Sequence, residues 1–153
     1  MTAVIDANIL AAIVLPLPYS EQATQKIVAW KRAGAELLAP VLLEYEIVAI
    51  LRKAVVAQWL TTDLAVEAMG RILSLNIQCL TPTAHLHERA LRWADRLGHS
   101  KAYDPQYLAL AEQEGIAFWT ADRRLANGAQ QAGAQWVHWI GQVVHVKLCW
   151  RHR

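Results

Sequence analysis

This chain is poor in the residues that would place it in many common classes. Among its 153 residues there are only two cysteines, Cys79 and Cys149, far apart and in no metal-ligand spacing. A disulfide scaffold and a zinc finger are excluded on that ground, and a reducing cytoplasm is the expected setting. Charged residues make up only 18% against 55% hydrophobic, which excludes a disordered chain and leaves ample material for a buried core. The net charge of +2 permits a nucleic-acid partner without requiring one. The apolar run Ile9–Pro18 is short for a membrane span and is broken by Pro16 and Pro18. Asp6 interrupts the start and no basic leader precedes that run, so a soluble protein is expected. There is no HExxH, no glycine-rich phosphate loop and no GxSxG elbow, which disfavours a zinc protease, a P-loop enzyme and a serine hydrolase.

What the chain does have is alternation of apolar strands and helices. The run at 3–5 reads as a buried strand, with a short helix from Asn8 stopped by Pro16 and Pro18. Ser20 is the expected N-cap of a helix to Ala33, ended by Gly34. Glu36–Ala39 is a second strand, and Pro40 is expected to open a helix through Gln58. Thr61 or Thr62 caps a helix to Leu73, Leu75–Leu80 is a third strand, and Thr83 starts a helix ending near Gly98. Asp104-Pro105 reads as N-cap and first helical residue of a helix that stops at Gly115. Ile116–Thr120 is a fourth strand, Asp122 leads a further helix, and Gln135–Trp139 is a fifth strand. From Gly141 the tail is either an edge strand or a loose basic end bearing Lys147, Arg151 and Arg153. Strands without polar alternation between helices imply a parallel sheet buried on both faces. Most of the seven tryptophans are expected to pack in the core or between helices.

Four acids stand at strand ends or just beyond them: Asp6 in AVIDAN, Glu46 in PVLLEYEIVAIL, Asp104 in AYDPQYLALAEQEG and Asp122 in AFWTADRRL. In an open α/β fold such ends gather at one rim, where ligands bind. Oxygen-only ligands suit Mg²⁺ or Mn²⁺. Hydrolysis of a phosphodiester needs an active nucleophile, a clamp on the non-bridging oxygens and help for the leaving oxygen, and one or two such ions supply all three. Each acid also has a plain structural role open to it. Asp104 and Asp122 could simply cap helices, and Glu46 could pair with Arg52 or Lys53, whereas Asp6 has no evident capping duty. Glu44 reads as solvated, and His85 and His87 in HLHERA as an exposed helix face. Lys101, Arg123 and Arg124 flank two of the acids and could grip phosphates.

Taken together, VIDANIL, PVLLEYEIVAILRKA, AYDPQYLALAEQEG and WTADRRL resemble the PIN-domain ribonucleases, in particular VapC-type toxins of toxin–antitoxin pairs, over about residues 2–140. The resemblance implies a PIN-like three-layer α/β/α fold with a central, mainly parallel sheet of about five strands. Residues 1–140 would form the domain and 141–153 an extension or tail of it. It implies a Mg²⁺- or Mn²⁺-dependent endoribonuclease with Asp6, Glu46, Asp104 and Asp122 as the catalytic metal site, and Asn8 and Thr120 as polar groups holding a carboxylate or a water. It also implies an RNA substrate, a cognate antitoxin and a homodimer. Two positions depart from the family pattern: Ala49 stands where many relatives carry Asn, and Pro105 where Ala is common. A catalytically silent PIN module binding RNA or protein is the alternative. A phosphatase using Asp6 as phosphoryl acceptor is disfavoured because Asn8 stands where a second Asp would be needed, and a receiver domain because the acidic pair at the first strand and a late strand-end Lys are missing.

Overall fold

The computed structural model describes residues 1–141. The chain alternates as expected: β1 (Thr2–Ile5), α1 (Ala7–Val14), α2 (Ser20–Arg32), β2 (Glu36–Pro40), α3 (Leu42–Val56), α4 (Thr62–Leu73), β3 (Gln78–Leu80), α5 (Ala84–Leu97), α6 (Tyr103–Glu114), β4 (Ala117–Thr120), α7 (Arg123–Gln131) and β5 (Val137–Trp139). The five strands form one sheet in the order β3-β2-β1-β4-β5, and every pairing is parallel. Right-handed crossovers put α1–α4 on one face and α5–α7 on the other. In agreement, α6 packs on β1, β2 and β4 with α5 against it, while α1 packs on α2 and α3. The result is a three-layer α/β/α domain with an all-parallel sheet.

The core sits at the centre of the sheet. Ala3, Val4 and Ile5 of β1, Phe118 of β4 and Val137 of β5 are fully buried. That explains the unbroken apolar run Ala3–Ile5 of β1, since neither face of it meets water. Trp30 and Trp93 are buried, Trp119, Trp136 and Trp139 half-buried, and Trp59 exposed. Edge-on contacts join Trp30 to Trp119 and Trp93 to Trp136. Most of the described tryptophans thus pack as expected.

Several boundaries differ from the sequence reading. Ser20 does not cap α2; Tyr19 holds that place, and the Ser20 hydroxyl donates to Leu15 O and accepts from Leu17 N. Its hydroxyl therefore ties down the proline-flanked turn rather than the helix end. Pro40 closes β2 opposite Leu80 instead of opening α3, and Val41 N supplies the bond to Leu80 O beside it. The third strand is shorter than Leu75–Leu80. Leu75 and Asn76 are used in the turn after α4, with Asn76 in the left-handed region at φ 54°. Thr61 and Thr83 cap α4 and α5 through their hydroxyls. The alternatives for the tail, edge strand or basic end, fall on 142–153 and lie outside the described residues.

The strand order has a direct consequence for the site. The chain moves outward from β1 to β2 and β3, then returns to the other side of β1 as β4 and continues to β5. The topological switch point therefore lies between β1 and β4, and the crevice outside their carboxyl ends is where such sheets bind ligands.

Candidate functional site

Asp6 directly follows β1 at this switch point and is 6% exposed. Its Oδ1 accepts from Ile9 N at 3.0 Å, so Asp6 caps α1. The expectation that it has no capping duty is wrong: the turn from β1 into α1 is tight enough for the carboxylate to reach back to the new helix. Its Oδ2 accepts from Thr120 Oγ1 at 2.5 Å and from Ala121 N at 3.2 Å, both across the sheet. A carboxylate has about four acceptor sites. Three are filled, and the remaining one is on Oδ1. Burial pushes the Asp6 carboxyl up to about 7, although its three hydrogen bonds pull the other way; the Asp104 charge adds a smaller upward push.

Thr120 is fully buried and links two acids. It donates to Asp6 and accepts from Asp122 N at 2.9 Å. Asp122 is exposed and caps α7, with Oδ1 accepting from Arg124 N at 2.9 Å and Leu125 N at 3.1 Å. No donor reaches its Oδ2 among the described residues.

Glu46 lies on α3 and is half-buried. Among the described residues it pairs with neither Arg52 nor Lys53. Instead its Oε1 accepts from the Tyr107 hydroxyl at 2.8 Å. Tyr107 is 1% exposed, and its ring stacks on Phe118 with centroids 5.7 Å apart. Glu46 Oε2 has no donor among the described residues. Asp104 is not the cap of α6; Ala102 holds that place, and Asp104 falls in the first turn with Pro105 after it. Proline is tolerated there because first-turn N–H groups lack helical partners anyway. The half-buried Asp104 carboxylate is thereby released from capping, and the helix dipole still favours its charge.

The acids are electrostatically joined, with Asp104 at the centre. Burial raises Glu46 and Asp104 above the usual carboxylate range; the Asp104 charge raises Glu46 further, and the Asp122 charge raises Asp104 further. His99 acts the other way on Asp104. Among the described residues no three such side chains are drawn into a closed metal cage. The donor set nevertheless fits a hard cation. All the donors are carboxylate oxygens, at least one acceptor position on each acid is uncommitted, and their mutual repulsion is what a cation relieves. Mg²⁺ keeps several waters and needs only one or two direct carboxylates, so a closed cage is not required.

The remaining predicted residues are peripheral. Asn8 is exposed in the first turn of α1 and borders a second cavity with Tyr19. Lys101 is exposed and lines a cleft of about 410 Å³ together with Glu46 and Asp104. Arg123 lies over the Trp139 ring at 5.1 Å, and the Trp139 Nε1 donates to Ala121 O at 3.3 Å. Arg124 is exposed. An apolar groove of about 240 Å³ between α3 and α4, lined by Val48, Val55 and Met69 among others, includes none of the four acids. Sequence reasoning missed Tyr107, the Ala121 N–H and Tyr19, whose hydroxyl is pushed up by burial first and then by the charges of Asp6 and Asp122. No local pattern marks Tyr107, since its partner lies 61 residues away.

A protein-family model described as PIN domain matches residues 3–130. No curated protein matches the chain. Among solved structures, PAE2754 from Pyrobaculum aerophilum is 23% identical with a TM-score of 0.62, covering 84% of this chain and 79% of that one. A toxin–antitoxin complex from Klebsiella pneumoniae is 17% identical with a TM-score of 0.64, covering 92% and 99% respectively. At these identities the likeness to the two structures is one of fold.

Proposed function

The chain belongs to the PIN-domain family, and from that premise we propose that it is a Mg²⁺- or Mn²⁺-dependent endoribonuclease, the toxin of a toxin–antitoxin pair. PIN domains are generally nucleases. The observation that carries the reading is the oxygen-only acid set at the switch point, with Asp104 coupled to each of the other three. Asp6, Asp104 and Asp122 would hold the metal. A bound ion would supply an activated water and charge stabilisation for the non-bridging and leaving oxygens. Glu46 would bind the metal or orient the attacking water through Oε2, while Tyr107 anchors Oε1. Thr120 fixes Asp6 and the start of α7 in one register, so the two strand ends act as one unit. Asn8 would steady a water at the rim. Lys101, Arg123 and Arg124 would meet substrate phosphates.

An antitoxin partner is supported by the fold shared with the toxin–antitoxin complex from Klebsiella pneumoniae. A homodimer and a cytoplasmic setting belong to the same reading, with residues 1–140 as the domain and 141–153 as its extension. No helix among the described residues is long and apolar enough to cross a membrane.

The test is incubation of total RNA with purified protein in Mg²⁺ or Mn²⁺ against EDTA, beside Asp6→Asn and Asp122→Asn. Metal-dependent cuts lost in both folded variants are expected. The alternative is a silent PIN module that binds RNA or protein. Failure of both cleavage and metal binding would support that module instead.

A further inference from the structure

We infer that the cleft between the α5–α6 loop and α3 is a subsite for one unpaired RNA nucleotide beside the scissile bond, with Tyr103 stacking on its base and Lys101 and His99 facing its phosphate. This rests on the nuclease reading for its location but not for its test.

The cleft, of about 410 Å³, places Glu46 and Asp104 together with His99, Lys101 and Tyr103. The backbone builds it. Gly98 ends α5 in the left-handed region at φ 65°, and His99 N then bonds back to Ala94 O at 2.9 Å, which turns the loop toward α3. Lys101 and His99 form no ion pair among the described residues. Tyr103 is 62% exposed and immediately precedes Asp104 at the start of α6.

An exposed tyrosine at a helix start is ordinary by itself. What distinguishes this one is its company. An aromatic face, a lysine, a histidine and two of the proposed catalytic acids share one cleft. Single strands are bound by an aromatic platform for the base and cations for the backbone. A paired base offers no free face to such a platform, whereas a splayed one does. The Tyr103 ring and the acids are therefore placed to hold a nucleotide adjacent to the bond being cut.

The test is fluorescence anisotropy of labelled single-stranded RNA of about ten nucleotides with the full chain in EDTA, so that no cleavage occurs. Tyr103→Ala is expected to bind about tenfold more weakly, in keeping with the usual worth of one stacked base. Tyr103→Trp should bind like the wild type. Lys101→Ala should weaken binding and reduce its salt dependence. An abasic site scanned along the oligomer should weaken wild-type binding at one register and leave Tyr103→Ala unaffected there. Folding is checked by thermal melting, and Tyr103 makes no side-chain hydrogen bond among the described residues whose loss would confuse the result. Equal affinity of Tyr103→Ala and wild type for every oligomer would overturn the subsite, as would wild-type protein that binds no single-stranded RNA. A Tyr103→Ala defect in EDTA without any metal-dependent cleavage would uphold the subsite and sink the nuclease reading.

Discussion

Raising the pH should destabilise the metal-free protein, and Asp6 sets the size of the effect. Its carboxyl stands at about 7 in the folded chain against 3.8 in the unfolded one, chiefly because it is buried. Between those values the folded chain keeps a proton that the unfolded chain has released. Stability is therefore full below about pH 4 and is lost as pH rises through about 7. The gap of about 3 pH units, at ~1.4 kcal/mol each, amounts to about 4 kcal/mol. That is a large part of the usual 5–15 kcal/mol of a domain, roughly speaking. Glu46 and Asp104 are raised as well and act in the same direction. His138 is lowered by burial and by Lys26, so its contribution grows as pH rises and opposes the trend. Urea unfolding in EDTA at about pH 5 and about pH 8 spans about two of those units, about 3 kcal/mol of the Asp6 effect together with the other groups, and Asp6→Asn isolates the Asp6 share. The substituted amide would still accept from Ile9 N through its oxygen, but its nitrogen cannot accept from Thr120 and Ala121. The variant should be less stable at low pH and markedly flatter across the window. Mn²⁺ at about pH 8 should restore wild-type stability, because a cation takes the place of the proton. A wild-type slope equal to that of Asp6→Asn would refute the reasoning.

Three further outcomes follow from single contacts. Thr120→Val removes the donor to Asp6 and the acceptor for Asp122 N; it should cost about 1–3 kcal/mol in urea unfolding and abolish most cleavage, while Thr120→Ser retains both. Tyr107→Phe frees Glu46 Oε1; cleavage should fall about 10–100-fold with stability changed by at most about 1.5 kcal/mol, and an unchanged rate would remove Tyr107 from the site. Glu112 accepts from both Arg89 Nη1 and the buried Trp93 Nε1; Glu112→Ala should cost about 1–3 kcal/mol by thermal melting without affecting metal binding.

The layer order and the rim can be read from the sequence because they depend on local contrast. A charge directly after Ala3-Val4-Ile5 marks a strand end whatever the tertiary context, and Gly98 and Gly115 end helices by their own φ of 65°. The capping assignments fail at Ser20 and Asp104 for a shared reason. Both residue types favour caps, but the preceding chain has already entered the helix, with Tyr19 and Ala102 in the cap positions. For Asp104 the error conceals the point that matters, a first-turn acid with no capping duty. Asp6 is misread in the opposite sense, since cap and cross-sheet bonds use different oxygens of one carboxylate. The Tyr107–Glu46 bond is not legible at all, because nothing local to either residue reports that α6 and α3 meet.

Whether the acids act as one cation site is tested most directly by Mn²⁺ titration calorimetry of wild type against Asp104→Asn. Asp104 couples to all three other acids. Its neutralisation should therefore weaken Mn²⁺ binding at least about tenfold and abolish RNA cleavage in a protein that still melts cooperatively. Equal Mn²⁺ binding by both proteins, with cleavage retained by the variant, would contradict a shared cation site.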